Sequence, residues 1–176
     1  MQVMQAGIGA LEEISAVRLL QSYRLGRREF NGVALRQVHL LEAWLAGVSL
    51  VAADLSKSNL SGAVLRRANL CDADLSRAFL WRTDLSHAAL IAANLSRATL
   101  IRATLSHADL HCGSLSHADL RLADLANADL SHADLRCADL RYANLSYANL
   151  AHADLQGANL TGAELAGADL HYSHGA

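Results

Sequence analysis

The sequence predicts a solenoid, a chain wound into stacked coils around a ladder of identical side chains. Three observations carry that prediction. From Leu35 to Leu170 every fifth residue is leucine, twenty-eight in strict register, with Phe30 one step earlier. Two residues before each leucine stands a small residue, almost always alanine and unbroken from Ala118 to Ala168. Composition matches: proline is absent, aromatics are 5% and charged residues 18%, yet hydrophobic residues reach 52%. Bias of this strength marks repeat architectures. A five-residue period fits neither regular element. Strand side chains alternate, so successive leucines would point to opposite faces. On an α-helix they would fall about 140° apart, and most would be exposed. A coil that turns one fixed corner per unit returns every leucine to one axis.

Taken along the chain, residues 1–10 read as a flexible N-terminus, with no basic stretch to suggest a secretory signal. Residues 11–29 read as a helix. Leu11, Ile14, Val17 and either Leu20 or Leu25 can share a face, Glu12 and Glu13 suit its start, and Arg27 and Arg28 its end. Gly26 is the expected stop. Such a helix would cover the open, leucine-lined end of the coil, or alternatively bind a partner. Residues 30–170 form the repeat proper, and 171–176 a short tail. Departures from alanine at the small position are Val33, Val38, Val48, Ser58, Thr83 and Gly113. The valines fall in the first coil, where a wider or less regular bore is expected.

Units such as Ala133-Asp134-Leu135-Arg136-Cys137 and Ala158-Asn159-Leu160-Thr161-Gly162 fit the consensus A(D/N)LXX literally. Residues 31–170 therefore resemble the pentapeptide-repeat family, over about four fifths of the chain. The resemblance implies an all-β solenoid, a right-handed quadrilateral β-helix with four units per coil. It would have about seven coils here and an N-terminal α-helical cap. Leucine and the small residue would point inward and the other three positions outward. At a rung spacing of roughly 4.8 Å the rod would be about 34 Å long. The stretch Leu20 to Phe30 resembles the helical lead-in of some cyanobacterial members.

The apolar content excludes disorder, and no apolar run is long enough for a transmembrane helix. Cys71, Cys112 and Cys137 are odd in number and lack CxxC spacing, which points to a reducing compartment, the cytoplasm. No phosphate loop, HExxH or GxSxG occurs. The aspartates recur at one outward position and do not converge on a pocket, so no enzyme, cofactor or metal is expected. Cys112, His132 and His152 share a column with His111 alongside, as do His87 with His107 and His117 with Cys137. Two ligands on adjacent rungs can meet one metal, but a solvated column is the expected reading.

Charge is uneven. Residues 1–102 hold 12 basic and 8 acidic side chains, a net +4, while residues 103–176 hold 3 and 9, a net −6. Lys57, Arg77 and Arg97 share a column, as do Arg82 and Arg102. Asp119 with Asp139, Asp134 with Asp154, and Asp109 with Asp129 stack at the far end, where Arg121 and Arg141 can offset the repulsion. Such a rod has a large dipole, which favours oriented association.

Phe79, Trp81 and Ile101 fall on outward positions of one face beside Arg82 and Arg102. Aromatic and arginine side chains together are common in binding hot spots; side chains merely packing on their ladder neighbours are the bland alternative. Trp44 and Val64 can extend the patch around the corner. A non-enzymatic rod that binds an unknown protein partner is the expected function. The resemblance implies an alternative, DNA mimicry directed at DNA gyrase, although the basic columns and unbroken register fit it less well. Direct nucleic-acid or membrane binding is not expected. The far end is expected to expose Leu155, Leu160, Leu165 and Leu170, and to form a homodimer unless Tyr172 folds over the bore. In that dimer Asp154, Glu164 and Asp169 would have to point outward or pair with His171 and His174, and acid would strengthen the contact.

Overall fold

The computed structural model describes residues 11–175. The expectation of flexibility at residues 1–10 lies outside them.

The outward residue just before each core leucine forms a parallel bridge with its counterpart twenty residues later. This register runs without a break from Glu29 with Ser49 to Asp154 with His174. At five residues per unit, each coil therefore has four sides. We number them by their leucines: the first face carries Leu35, the second Leu40, the third Leu45 and the fourth Leu50, each recurring every twenty residues. Three backbone hydrogen bonds per unit tie the coils together. In one unit, Leu100 N–H donates to the Asp119 carbonyl at 2.7 Å, Arg102 N–H to the Arg121 carbonyl at 3.0 Å, and Thr99 N–H to the Ala78 carbonyl at 2.9 Å. Every leucine in register from Leu35 to Leu155 is buried, 1% exposed or less. Each such burial contributes roughly 1.5–3 kcal/mol before chain entropy is subtracted.

Corners explain why the period is five. The Leu100 carbonyl accepts from Ala103 N–H at 2.9 Å, and Arg102 between them has φ 57°. A positive φ at the third turn residue is the type II pattern. Among the described residues, non-glycine side chains from Gln37 to Tyr172 repeat it, including six arginines or lysines, histidines and tyrosines at φ 53–61°. Each costs about 1 kcal/mol relative to glycine, which coil-to-coil bonding offsets. Alanine keeps the inner corner narrow. Where polar residues take its place they are satisfied: Ser58 Oγ donates to the Leu55 carbonyl at 2.5 Å and Thr83 Oγ1 to the Leu60 carbonyl at 2.8 Å.

The N-terminal region departs from the expected helix over 11–29. Strand β1, Glu12–Glu13, pairs in parallel with β2, Val33–Ala34, and Ile14 N–H donates to the Ala34 carbonyl at 3.3 Å. Helix α1 is shorter, Ala16–Arg24. Pairing with the bottom edge of the coil satisfies backbone groups that a longer helix would leave open, so strand wins at 12–13. The buried face shifts accordingly: Leu19 and Tyr23 are buried, whereas Leu11, Val17 and Leu25 are exposed. Ser15 caps the helix by accepting from Arg18 N–H, between buried Ile14 and Leu19 at the positions of a hydrophobic staple. Gly26 stops it as expected, at φ 97°, with Arg27 N–H bonded to Ser22 and its own N–H to Tyr23, a Schellman closure. Tyr23 Oη then donates to the Ala46 carbonyl at 2.7 Å, and the Arg28 guanidinium lies 3.9 Å from the Tyr23 ring centre. Phe30 is buried and opens the ladder.

The far end also differs from the expected tail at 171–176. Tyr172 takes the corner conformation at φ 59°, Ser173 Oγ donates to the Leu170 carbonyl, and His174 bridges to Asp154. Residues 171–175 thus continue the coil and cover Leu155, which is fully buried rather than part of the open end. Leu160, Leu165 and Leu170 are only partly buried.

Candidate binding face

The outward position is a structural device before it is a surface. The Asp or Asn there uses Oδ1 to accept the N–H of the residue just after the leucine: Asp74 from Ser76 at 2.9 Å, Asn94 from Ser96 at 3.1 Å, Asp129 from Ser131 at 2.9 Å. That N–H is the corner donor left over by the coil-to-coil bonds, and the side chain closes an Asx turn on it. Asp and Asn interchange because both offer the same oxygen. Phe79 cannot offer it. Among the described residues the Trp81 N–H has no partner. At this unit the chain forgoes a structural hydrogen bond and presents a ring that is 53% exposed.

Phe79 lies on the second face, bridged to Asn59 below and Thr99 above. Trp81 and Arg82 form the following corner, and Ile101 and Arg102 the same corner one rung up, so the structure brings all five expected patch residues together. The Arg82 guanidinium lies over the Trp81 ring, 5.2 Å from its centre, within cation–π range. Lys57, Arg77 and Arg97 stack on the preceding corner. No acid occurs in 57–62, 77–82 or 97–102.

Which arginines are free follows from the corner geometry. Those just after the leucine reach the Asx carboxylates: Arg66 to Asp84 at 2.8 Å, and Arg121, Arg136 and Arg141 to Asp119, Asp134 and Asp139 at 2.7 Å. Arg36 pairs with Asp54 in the same way. Those at the next position, in the positive-φ conformation, project away. Among the described residues Lys57, Arg77, Arg82, Arg97 and Arg102 form no ion pair. The second face therefore presents an apolar strip between two unpaired cationic columns.

Exposed apolar side chains also continue above Arg102, in the column beside the strip. A shallow depression is lined by Glu42, Gly62, Trp81 and Arg82, and another by Ile101, Arg121, Leu122, Arg141 and Tyr142. Leu122 and Tyr142 are exposed. Their twenty-residue spacing from Arg102 was the available signal, hidden because the most variable repeat position carries no consensus. Trp44 and Val64 stack on the third face. Trp44 lines a separate groove with Leu20 and Tyr23 against α1.

At the far end Arg121 and Arg141 do offset the stacked acids, with Arg121 also 3.7 Å from Asp139. The Arg136 and Arg141 guanidiniums hold the Asp134 and Asp139 carboxyls below the usual carboxylate range, against a smaller opposing push from burial. Asp169 is lowered by hydrogen bonds from the backbone and ring of His171, whose Nδ1 is 2.6 Å from its Oδ1. Tyr172 does not cross the bore; it stacks outside on His152, which stacks on His132. His87 and His107 stack at 4.8 Å. Among the described residues no group of three metal-ligating side chains converges, and no helix is long and apolar enough to cross a membrane.

A four-sided coil with leucine inside and Asx-capped corners defines a class, the pentapeptide-repeat solenoid. A family model described as Pentapeptide repeats matches in eight copies, over residues 29–67, 49–86, 63–100, 80–112, 113–141 and 143–173. The chain belongs to that family, whose fold is a right-handed quadrilateral β-helix. It is 30% identical to HetL from the cyanobacterium Nostoc sp. strain PCC 7120, a pentapeptide repeat protein involved in heterocyst differentiation regulation; the match covers 91% of this chain and 94% of that one, with a TM-score of 0.34. A second pentapeptide repeat protein from Nostoc PCC 7120 is 32% identical over 72% of this chain and 84% of that one, with a TM-score of 0.50. Full-length QnrB1, a plasmid-mediated fluoroquinolone resistance protein, is 16% identical over 89% and 88%, with a TM-score of 0.45. No curated protein sequence matches significantly.

Proposed function

We propose that the chain is a non-enzymatic rod of about seven coils, closed by α1, that binds a protein partner through its second face. The observation that carries this reading is Phe79. It stands where the repeat places an Asx cap, is exposed, and lies between cations that no acid neutralises. Among the described residues, an interior filled with leucine leaves no convergent pocket for catalysis. Affinity capture with the Trp81→Ala/Arg82→Ala double variant tests it. The variant is expected to lose the partner that the parent chain recovers, and unchanged recovery removes the face from the account.

The stacked acids of the last coils favour a second reading, topoisomerase inhibition by DNA mimicry. A supercoiling assay with purified gyrase decides it: inhibition at micromolar protein supports the second reading, and its absence removes it. The half-buried Leu160, Leu165 and Leu170 support a further element of the proposal, a homodimer joined at the last coil.

A further inference from the structure

We infer that the second face receives an acidic amphipathic helix of the partner, laid along the rod axis; this rests on the reading of that face as protein-binding. Backbone N–H and carbonyl groups of the stacked units are bonded to neighbouring coils, as at Phe79 to Ser58 and Leu80 to Thr99. The face therefore offers no strand edge, and recognition falls to side chains. Those side chains form an apolar strip, Phe79, Trp81 and Ile101, flanked by Arg77 and Arg97 on one corner and Arg82 and Arg102 on the other.

A partner that satisfies all three lines carries an apolar ridge with carboxylates on both sides. An α-helix with leucine-type residues at i, i+3, i+4 and i+7 and acids beside them has that form. Its pitch also fits: a turn advances about 5.4 Å, and a rung about 4.8 Å. Over the three basic rungs the mismatch accumulates to about 1 Å, within the reach of an arginine side chain. Leu122 and Tyr142 continue the Arg102 column, whereas the column above Ile101 runs on into Arg121 and Arg141, paired with Asp119 and Asp139. The contact therefore spans the three basic rungs, room for a helix of about ten residues. A single nucleic-acid strand fits less well. Its phosphates follow one line, and the Trp81 ring on which a base would stack is already covered by Arg82.

Fluorescence anisotropy with the full chain tests the inference. The probes are a labelled Glu/Leu peptide with a leucine ridge, a scrambled peptide of the same composition, and an oligothymidine. Binding of the ridge peptide is expected to weaken about tenfold or more in Arg77→Glu/Arg97→Glu and, separately, in Arg82→Glu/Arg102→Glu. Arg67→Ala, on the corner after the third face, should leave it unchanged, and circular dichroism should show that all variants are folded. Equal binding of the scrambled peptide, loss through one column only, preference for oligothymidine, or no peptide binding at all overturns it. Those results leave the protein-binding face standing if the Trp81→Ala/Arg82→Ala variant still loses its captured partner. If capture is also unaffected, both fall.

Discussion

At residue 79 structure and function pull apart in a way that can be measured. Asparagine there would restore the Oδ1 acceptor for the Trp81 N–H, as Asn59 does for Ser61 at 3.0 Å. Phe79→Asn is therefore expected to raise stability by about 0.5–1.5 kcal/mol in chemical denaturation while weakening partner binding. A variant that loses both would mean that Phe79 serves the ladder. Asp139 gives the acid response. Its carboxyl is held low by Arg141, so its stabilising effect is complete above the unfolded value of about 3.9 and disappears as pH falls through the lower folded value. Asp139→Asn keeps the Asx acceptor and loses the ion pair. Its melting temperature should fall less steeply than that of the parent below about pH 4, as thermal unfolding scans will show.

For the elements, the repeat is nearly transparent to sequence reading and its ends are not. Leucine every fifth residue leaves one solution for the interior, so the coil and the continuity of its register follow from side-chain geometry alone. The role of the Asp and Asn residues is less visible, because a solvent-facing acid and a corner cap look identical in a repeat. Which arginines remain unpaired depends on whether they stand one or two residues after leucine, a distinction that only the turn conformation explains. The helix reads too long because Leu11 and Val17 fit a helical period, whereas the exposed edge at Val33–Ala34 recruits Glu12–Glu13 as a strand. Leu19 then anchors α1 at full burial. Leu19→Ala should cost about 2–5 kcal/mol; urea unfolding that shifts by under about 1 kcal/mol would mean the helix does not close the coil.

The whole molecule is a rod with different ends and one different side. At the near end α1 buries Leu19 and Tyr23 in the same cluster as the ladder. At the far end the N–H groups of Leu160, Leu165 and Leu170 have no coil above to accept them among the described residues. Such an edge pairs readily with another chain, and light scattering should show mass rising above 18.8 kDa with concentration; a constant monomer mass at high micromolar protein argues against the dimer. The central claim concerns the side. A photo-crosslinking amino acid placed in turn at Ser96, Ile101, Ser106 and His111 samples the corners after the first, second, third and fourth faces within one coil. Partner adducts from positions 96 and 101, the two corners that bound the second face, far above those from 106 and 111, are the predicted result. Equal adducts from all four positions, or strong adducts only from the others, would contradict it.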